Sequence, residues 1–203
     1  MIKVYNFARG ARGLRVFWVC EEMGLPYQVE NFGFPPPASY KALNPLGSVP
    51  FLEDDGGVAI NESVAMMLYV AERYGPTPLL PAKNDPALAR VLQMTVFGET
   101  TLGAQMNTLM AAHFMAQGDD KTNWSVRGTE TRVNQAIDFV VGMLGDNEFL
   151  AGKTLTLADI SISTAFGMWK GALGKAVPDK IAAYRDRLAA RPAYQRAQQK
   201  AQG

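Results

Sequence analysis

Asn44-Pro45-Leu46-Gly47-Ser48-Val49-Pro50, continued by Phe51-Leu52-Glu53-Asp54-Asp55-Gly56-Gly57-Val58-Ala59-Ile60 and then Asn61-Glu62-Ser63, is the stretch on which the fold turns. Proline has no amide to give a ladder, so Pro50 belongs at the start of the apolar strand that follows it. Val49-Pro50 reads in two ways. It is an ordinary turn before a strand, or a cis bond that turns the amide and carbonyl of Val49 outward, where an extended peptide can pair with them. Asp54-Asp55-Gly56-Gly57 between residues 50–53 and 58–60 reads as a hairpin. Asn61 reads as the cap of a helix through Tyr74, with Val64, Met67, Leu68 and Ala71 on one face. Glu62 and Ser63 again carry two readings. They are favourable residues for a first helical turn, or they form a receptor for the two ends of an α-amino acid. The exposed amides and partial positive charge of a helix N-terminus would seat a carboxylate, and Glu62 would hold an ammonium.

Working outward, residues 2–5 read as a first strand. Leu14, Val16, Phe17, Trp18, Val19, Cys20 and Met23 give a helix with a wide apolar face, which Gly24 and Pro26 stop. Residues 27–32 form a second strand, and a strand–helix–strand unit of this length is expected to be parallel and right-handed. Pro35-Pro36-Pro37 makes a stiff loop. Beyond Asp85 the strand signal ends. Asp85-Pro86 opens a long helix toward Met115, a second runs over 125–144, and Thr156-Leu157-Ala158-Asp159 is an acidic capping box opening a third. Pro178 starts a fourth, broken at Arg191-Pro192. Gly75-Pro76-Thr77-Pro78-Leu79-Leu80-Pro81 is the linker. The expected architecture is a small α/β domain over 1–78 and an all-helical domain over 86–203.

Of the 203 residues, 48% are hydrophobic and 19% charged, which suits a buried core and excludes a disordered or solvating chain. Twenty Lys+Arg against 19 Asp+Glu leave a formal charge of +1, so the balance favours neither nucleic acid nor an anionic membrane as partner. Cys20 is the single cysteine and His113 the single histidine. That pair of counts excludes an intramolecular disulfide, dithiol redox chemistry and a multi-histidine zinc site, and no metal is expected. The opening residues show no signal-peptide pattern, and the apolar runs fall short of the ~20 residues of a membrane span. A soluble, cytoplasmic protein is the expectation.

The run from Asn44 to Pro50, Asn61-Glu62-Ser63, and Phe149-Leu150-Ala151-Gly152 leading into Thr156-Leu157-Ala158-Asp159 together resemble the cytosolic glutathione transferase family. Leu14-Arg15-Val16-Phe17-Trp18 and Glu21-Glu22-Met23-Gly24-Leu25-Pro26-Tyr27 resemble that family's first helix. The resemblance implies a thioredoxin-like N-terminal domain, an all-α C-terminal domain, glutathione bound between them as co-substrate, and a homodimer. It implies that the Val49 backbone pairs with the cysteinyl unit, that Pro50 is the cis proline, and that Glu62 with Ser63 holds the γ-glutamyl end. Ser48 occupies the position from which relatives, often with lysine, reach the glycine carboxylate.

The chemistry so implied is attack of glutathione's thiolate on an apolar electrophile held by the helical domain. A free thiol titrates near ~8.5, and lowering that by ~2 units takes ~2.7 kcal/mol of preferential anion stabilisation. Many bacterial relatives open the first helix with serine, and this chain has Ala11 there. Two substitutes present themselves: Tyr5, placed as in the tyrosine-type classes, or the amides of residues 11–13 with the charge of Arg12. Tyr5 reads equally as packing, and Arg12 as a solvated charge. Cys20, inside an apolar helix, reads as a structural thiol. Met106, Met110 and Phe114 read as core, dimer contact or a lining for the electrophile, His113 as an exposed helix residue or the edge of that pocket, and Asp159 as a cap. A glutathione-dependent disulfide reductase or peroxidase, and a non-catalytic glutathione-binding protein, are the alternatives.

Overall fold

The computed structural model describes all 203 residues, apart from the side chain of Ala11. The chain divides into a unit of residues 1–80 with 189–203, and a unit of residues 81–188.

The first unit is built on β1 (Ile2–Phe7), β2 (Tyr27–Phe32), β3 (Phe51–Asp54) and β4 (Val58–Ile60), in the order β2-β1-β3-β4. β1 and β2 run parallel with Ile2 opposite Tyr27, joined by α1 (Ala11–Glu22). β3 is antiparallel to both β1 and β4, with Tyr5 opposite Phe51 and Leu52 opposite Ile60. Neighbouring residues of a strand point to opposite faces, and β1 shows the consequence. Tyr5 stacks among Phe32, Phe51 and Tyr40, the last on α2 (Tyr40–Leu43). Asn6 faces α1 instead, so closely that a Cβ on Gly13 would stand 2.3 Å from Asn6 Oδ1. Glycine at 13 is what lets helix and strand meet there. α3 (Ser63–Arg73) packs beside α1, completing a thioredoxin-like layer.

Arg191-Pro192 ends one helix and starts another. The segment read in sequence with the helical half becomes α9 (Pro192–Gln202), with proline in its first turn, where the missing amide costs nothing. α9 lies on α1: Arg191 grips Glu22 through Nε at 2.7 Å and Nη2 at 2.8 Å, and Trp18 meets Tyr194 edge to face. Arg9, at φ 64°, donates its amide to the Ala201 carbonyl at 2.6 Å, which ties the β1–α1 turn to the end of the chain.

The second unit holds α4 (Ala87–Phe97), α5 (Ala104–Phe114), α6 (Trp124–Leu144), α7 (Leu157–Gly167) and α8 (Asp179–Ala189). The single long helix expected toward Met115 is interrupted by a π-helical turn, Gly98–Gly103. Gly98 sits against α7, where a Cβ would lie 2.4 Å from Ser161 Oγ. The capping box at Thr156 and Asp159 is present. Asp159 is fully buried and accepts from the amides of Leu150 and Thr156 and the hydroxyls of Thr156 and Tyr184, joining loop, α7 and α8. Burial outweighs these donors and moves its carboxyl above the ordinary range.

Candidate functional site

In the first unit the loop before β3 and the start of α3 are fastened together by a pair of amides. Asn44 Nδ2 donates to Asn61 Oδ1 at 3.0 Å, and Asn61 Nδ2 returns a bond to Asn44 Oδ1 at 3.3 Å. Asn44 also donates to the Ser48 carbonyl, as does the Tyr40 hydroxyl, both at 2.8 Å. Gly47 closes the turn with its amide on the Asn44 carbonyl and a φ of 64°, a conformation that favours glycine. The residue after Ser48 is therefore presented from a loop fixed at several points. Val49 is half-buried against the Tyr5, Tyr40 and Phe51 cluster, Pro50 is buried, and the bond between them is cis. The Ser48 side chain is exposed and reaches Asn61 at 3.5 Å.

Asn61 is thus committed to Asn44 and does not cap α3. The cap position belongs to Glu62, at φ 69° and ψ 107°. Such a conformation costs a non-glycine residue on the order of 1–3 kcal/mol, and residues held this way cluster at binding sites. The Glu62 side chain is exposed, while Ser63 beside it is 3% exposed. The Met66 amide closes the first helical bond onto the Glu62 carbonyl, and the amides ahead of it have no partner within the helix.

Arg15 brings charge to this helix end. It is fully buried in α1, and its Nη1 donates to Ser63 Oγ at 3.0 Å. A serine hydroxyl that accepts from a guanidinium keeps its own proton for a further acceptor. The sequence reading missed this role, although a signal was there. Between Gly13 and Cys20 the chain is apolar on every side of Arg15 alone, and a helix buried all round must give a lone charge a partner.

Around the start of α1 the candidates separate. Gly10 occupies the N-cap position without a side-chain capping bond, and the first turn carries no acid. Ala11 opens the helix, with its side chain outside the described residues, and Arg12 is half-exposed. Asn6, 1% exposed, supports this turn from below and bonds to Asn31, which in turn donates to the Lys200 carbonyl. Tyr5 is 6% exposed and gives its hydroxyl proton to Glu53 Oε2 at 2.7 Å, with the Lys3 ammonium over its ring. Burial, reinforced by Glu53, raises the phenol above its ordinary value.

Other marked residues fall into structure. Cys20 is fully buried, and burial pushes its thiol up to about 12. Met106 is core, Met110 half-buried and Phe114 exposed, so the three share no single environment. Among the described residues no group of three or more His, Cys, Asp or Glu could hold a metal ion, and no helix is long and apolar enough to cross a membrane.

The family model for the glutathione S-transferase N-terminal domain matches residues 12–73, and that for the C-terminal domain matches residues 105–192. Glutathione S-transferase Z2 of Arabidopsis thaliana is 34% identical over 170 residues, covering 80% of this chain and 74% of the relative. Among solved structures, a delta-class glutathione transferase of Nilaparvata lugens superposes with a TM-score of 0.83 at 25% identity, covering 100% of this chain and 96% of the other. A theta-class enzyme of Xanthomonas axonopodis pv. citri with glutathione bound gives 0.80 at 23% identity, over 97% and 96% of the two chains. The chain belongs to the glutathione S-transferase family of enzymes.

Proposed function

We propose that this transferase seats glutathione on the first unit, along the Val49 backbone and at the head of α3, and directs the thiolate at an apolar electrophile. In this reading Glu62 takes the γ-glutamyl ammonium. Ser63 and the first amides of α3, backed by the Arg15 guanidinium, take the α-carboxylate, and Ser48 lies toward the glycine end. The observation that carries the reading is the pairing at residues 62 and 63: an exposed acid held at a costly φ of 69° beside a buried hydroxyl polarised by Arg15. That is a receptor for a zwitterion.

The thiolate falls to the start of α1. The Tyr5 proton is already given to Glu53, and a raised phenol is a poorer donor to sulfur. Helix amides with no side-chain cap, together with Arg12, supply the positive end instead. The first unit, residues 1–80 with α9, is then the glutathione-binding domain and residues 81–188 the domain that holds the electrophile, in a cytoplasmic homodimer that serves detoxification. Light scattering at about twice the 22.1 kDa of one chain is the expected result for the assembly.

Calorimetry of glutathione and an S-alkyl analogue on Glu62→Ala tests the seat. Losing a charged hydrogen-bond partner costs about 1.5–3 kcal/mol, a ten- to hundredfold weaker dissociation constant. Unchanged affinity in a folded variant overturns the assignment.

A further inference from the structure

Two hydrogen bonds run from the last turn of α9 to the region where β1 gives way to α1. The Ala201 carbonyl accepts from the Arg9 amide at 2.6 Å, and the Lys200 carbonyl accepts from Asn31 Nδ2 at 2.9 Å. The last four carbonyls of a helix have no partner inside it, so both bonds use acceptors that α9 leaves over. Asn31 stands opposite Asn6 in the β1–β2 register and accepts from Asn6 Nδ2 at 3.4 Å. A side-chain amide has one donor end and one acceptor end. With the nitrogen of Asn6 committed to Asn31, its Oδ1 faces the start of α1, 2.6 Å and 2.3 Å from where Cβ atoms on Gly10 and Gly13 would stand. Arg9 is held at φ 64°, a conformation that a residue with a side chain keeps only where its surroundings enforce it. Arg191 and Arg196 fasten α9 to Glu22 and Glu21 at the far end of α1, so the tie at its start hangs from an anchored helix.

We propose that the end of α9 positions the sulfur of glutathione: Ala201 through the Arg9 amide, and Lys200 through Asn31 and Asn6, aim the first amides of α1 at the thiolate. This role presupposes that those amides stabilise the thiolate, as proposed above, and makes Asn6 and Asn31 positioning residues. Hydrogen bonds weaken steeply as they leave linearity. A turn free to tilt would therefore cost the anion more than the neutral thiol, and neither asparagine needs to touch glutathione. The seat at Glu62 and Ser63 is built on α3 and does not depend on the tie.

The test uses the full-length protein carrying Asn31→Ala or Asn6→Ala, with glutathione and S-methylglutathione as ligands. Ultraviolet titration should show the bound thiol raised by roughly 0.5–1 unit in each, which is about a three- to tenfold loss of thiolate below the shifted value. The kcat with an aryl halide should fall by the same factor there and recover as pH rises. S-methylglutathione has no proton on sulfur and should bind within about twofold of the parent, read by calorimetry. Asn31 is half-exposed, so Asn31→Ala decides the matter if Asn6→Ala fails to fold. An unmoved titration in folded Asn31→Ala overturns the positioning role and leaves stabilisation by the α1 amides standing. A bound thiol near ~8.5 in the parent overturns both. Weakening of S-methylglutathione in step with the titration shift shows general loosening, and also overturns the role.

Discussion

Arg15 Nη1 donates to Ser63 Oγ across 3.0 Å, from a fully buried guanidinium to a hydroxyl that is 3% exposed. The bond joins the middle of the first helix to the head of the third, so the charge that favours an anion at α3 is delivered from beneath. Arg15→Lys keeps the charge and loses the planar fork. It should weaken glutathione about tenfold, and Ser63→Ala should do so by a similar factor, read by calorimetry. An analogue with the γ-glutamyl α-carboxylate amidated should bind weakly to the parent and no more weakly to Arg15→Lys. If the variant weakens both ligands alike, Arg15 serves packing and not the carboxylate.

Glu62 puts stability and binding in opposition. At φ 69° the backbone favours glycine, so Glu62→Gly relieves strain on the order of 1 kcal/mol or more. For a chain of this size that corresponds to a rise of roughly 2–4 °C in Tm. The same substitution removes the carboxylate and should weaken glutathione ten- to hundredfold. Thermal unfolding and calorimetry on one sample read both effects. A variant that melts lower, with glutathione affinity intact, refutes the trade.

What could be read from the chain follows the range of the forces involved. The strand–helix–strand unit, the hairpin at Asp54-Asp55-Gly56-Gly57 and the capping box at Thr156 are local patterns, and they appear where spacing put them. Asn61 looked like a helix cap because that choice is local too. Its actual partner is Asn44, seventeen positions away, and no periodicity records such a pair. Pro192 looked like a terminator because a helix precedes it, yet it begins α9, whose docking on α1 depends on Arg191, Tyr194 and Arg196 meeting Glu22, Trp18 and Glu21. The proposed seat for a zwitterion was read from Glu62-Ser63, which adjoin in sequence. The buried charge behind it was not, since Arg15 and Ser63 stand 48 residues apart.

Cys20 makes a prediction for alkaline pH. Its thiol moves from 9.0 to about 12 through burial, so the folded state holds this proton more tightly than the unfolded chain. The sign follows. The contribution is fully present below pH 9.0 and is lost as pH rises toward about 12, at roughly 1.4 kcal/mol per unit. Denaturant titrations should show stability falling over that window, and Cys20→Ala should flatten the slope while lowering stability at neutral pH through the lost packing. Thiol reagents should label Cys20 only on unfolding. Rapid labelling of the native protein at neutral pH contradicts the burial.

The activation of sulfur separates two groups only a few residues apart in sequence. Tyr5 is engaged with Glu53 at 2.7 Å, so Tyr5→Phe should leave the titration of bound glutathione where it is, read from the ultraviolet absorbance of the thiolate. Arg12 is half-exposed, and a cation so placed contributes about 0.2–1 kcal/mol to a neighbouring anion. Arg12→Ala should therefore raise the bound thiol by roughly 0.2–0.7 unit. Turnover at neutral pH should fall in step and recover as pH rises and the thiol ionises unaided. The proposed mechanism assigns the larger share to the α1 amides, which no side-chain substitution removes, so a bound thiol still well below ~8.5 in Arg12→Ala is the expected remainder. A rise of 1–2 units in Tyr5→Phe gives the opposite answer. The phenol must then leave Glu53 when glutathione binds, and Glu53→Gln, which weakens its hold, should lower the thiol further.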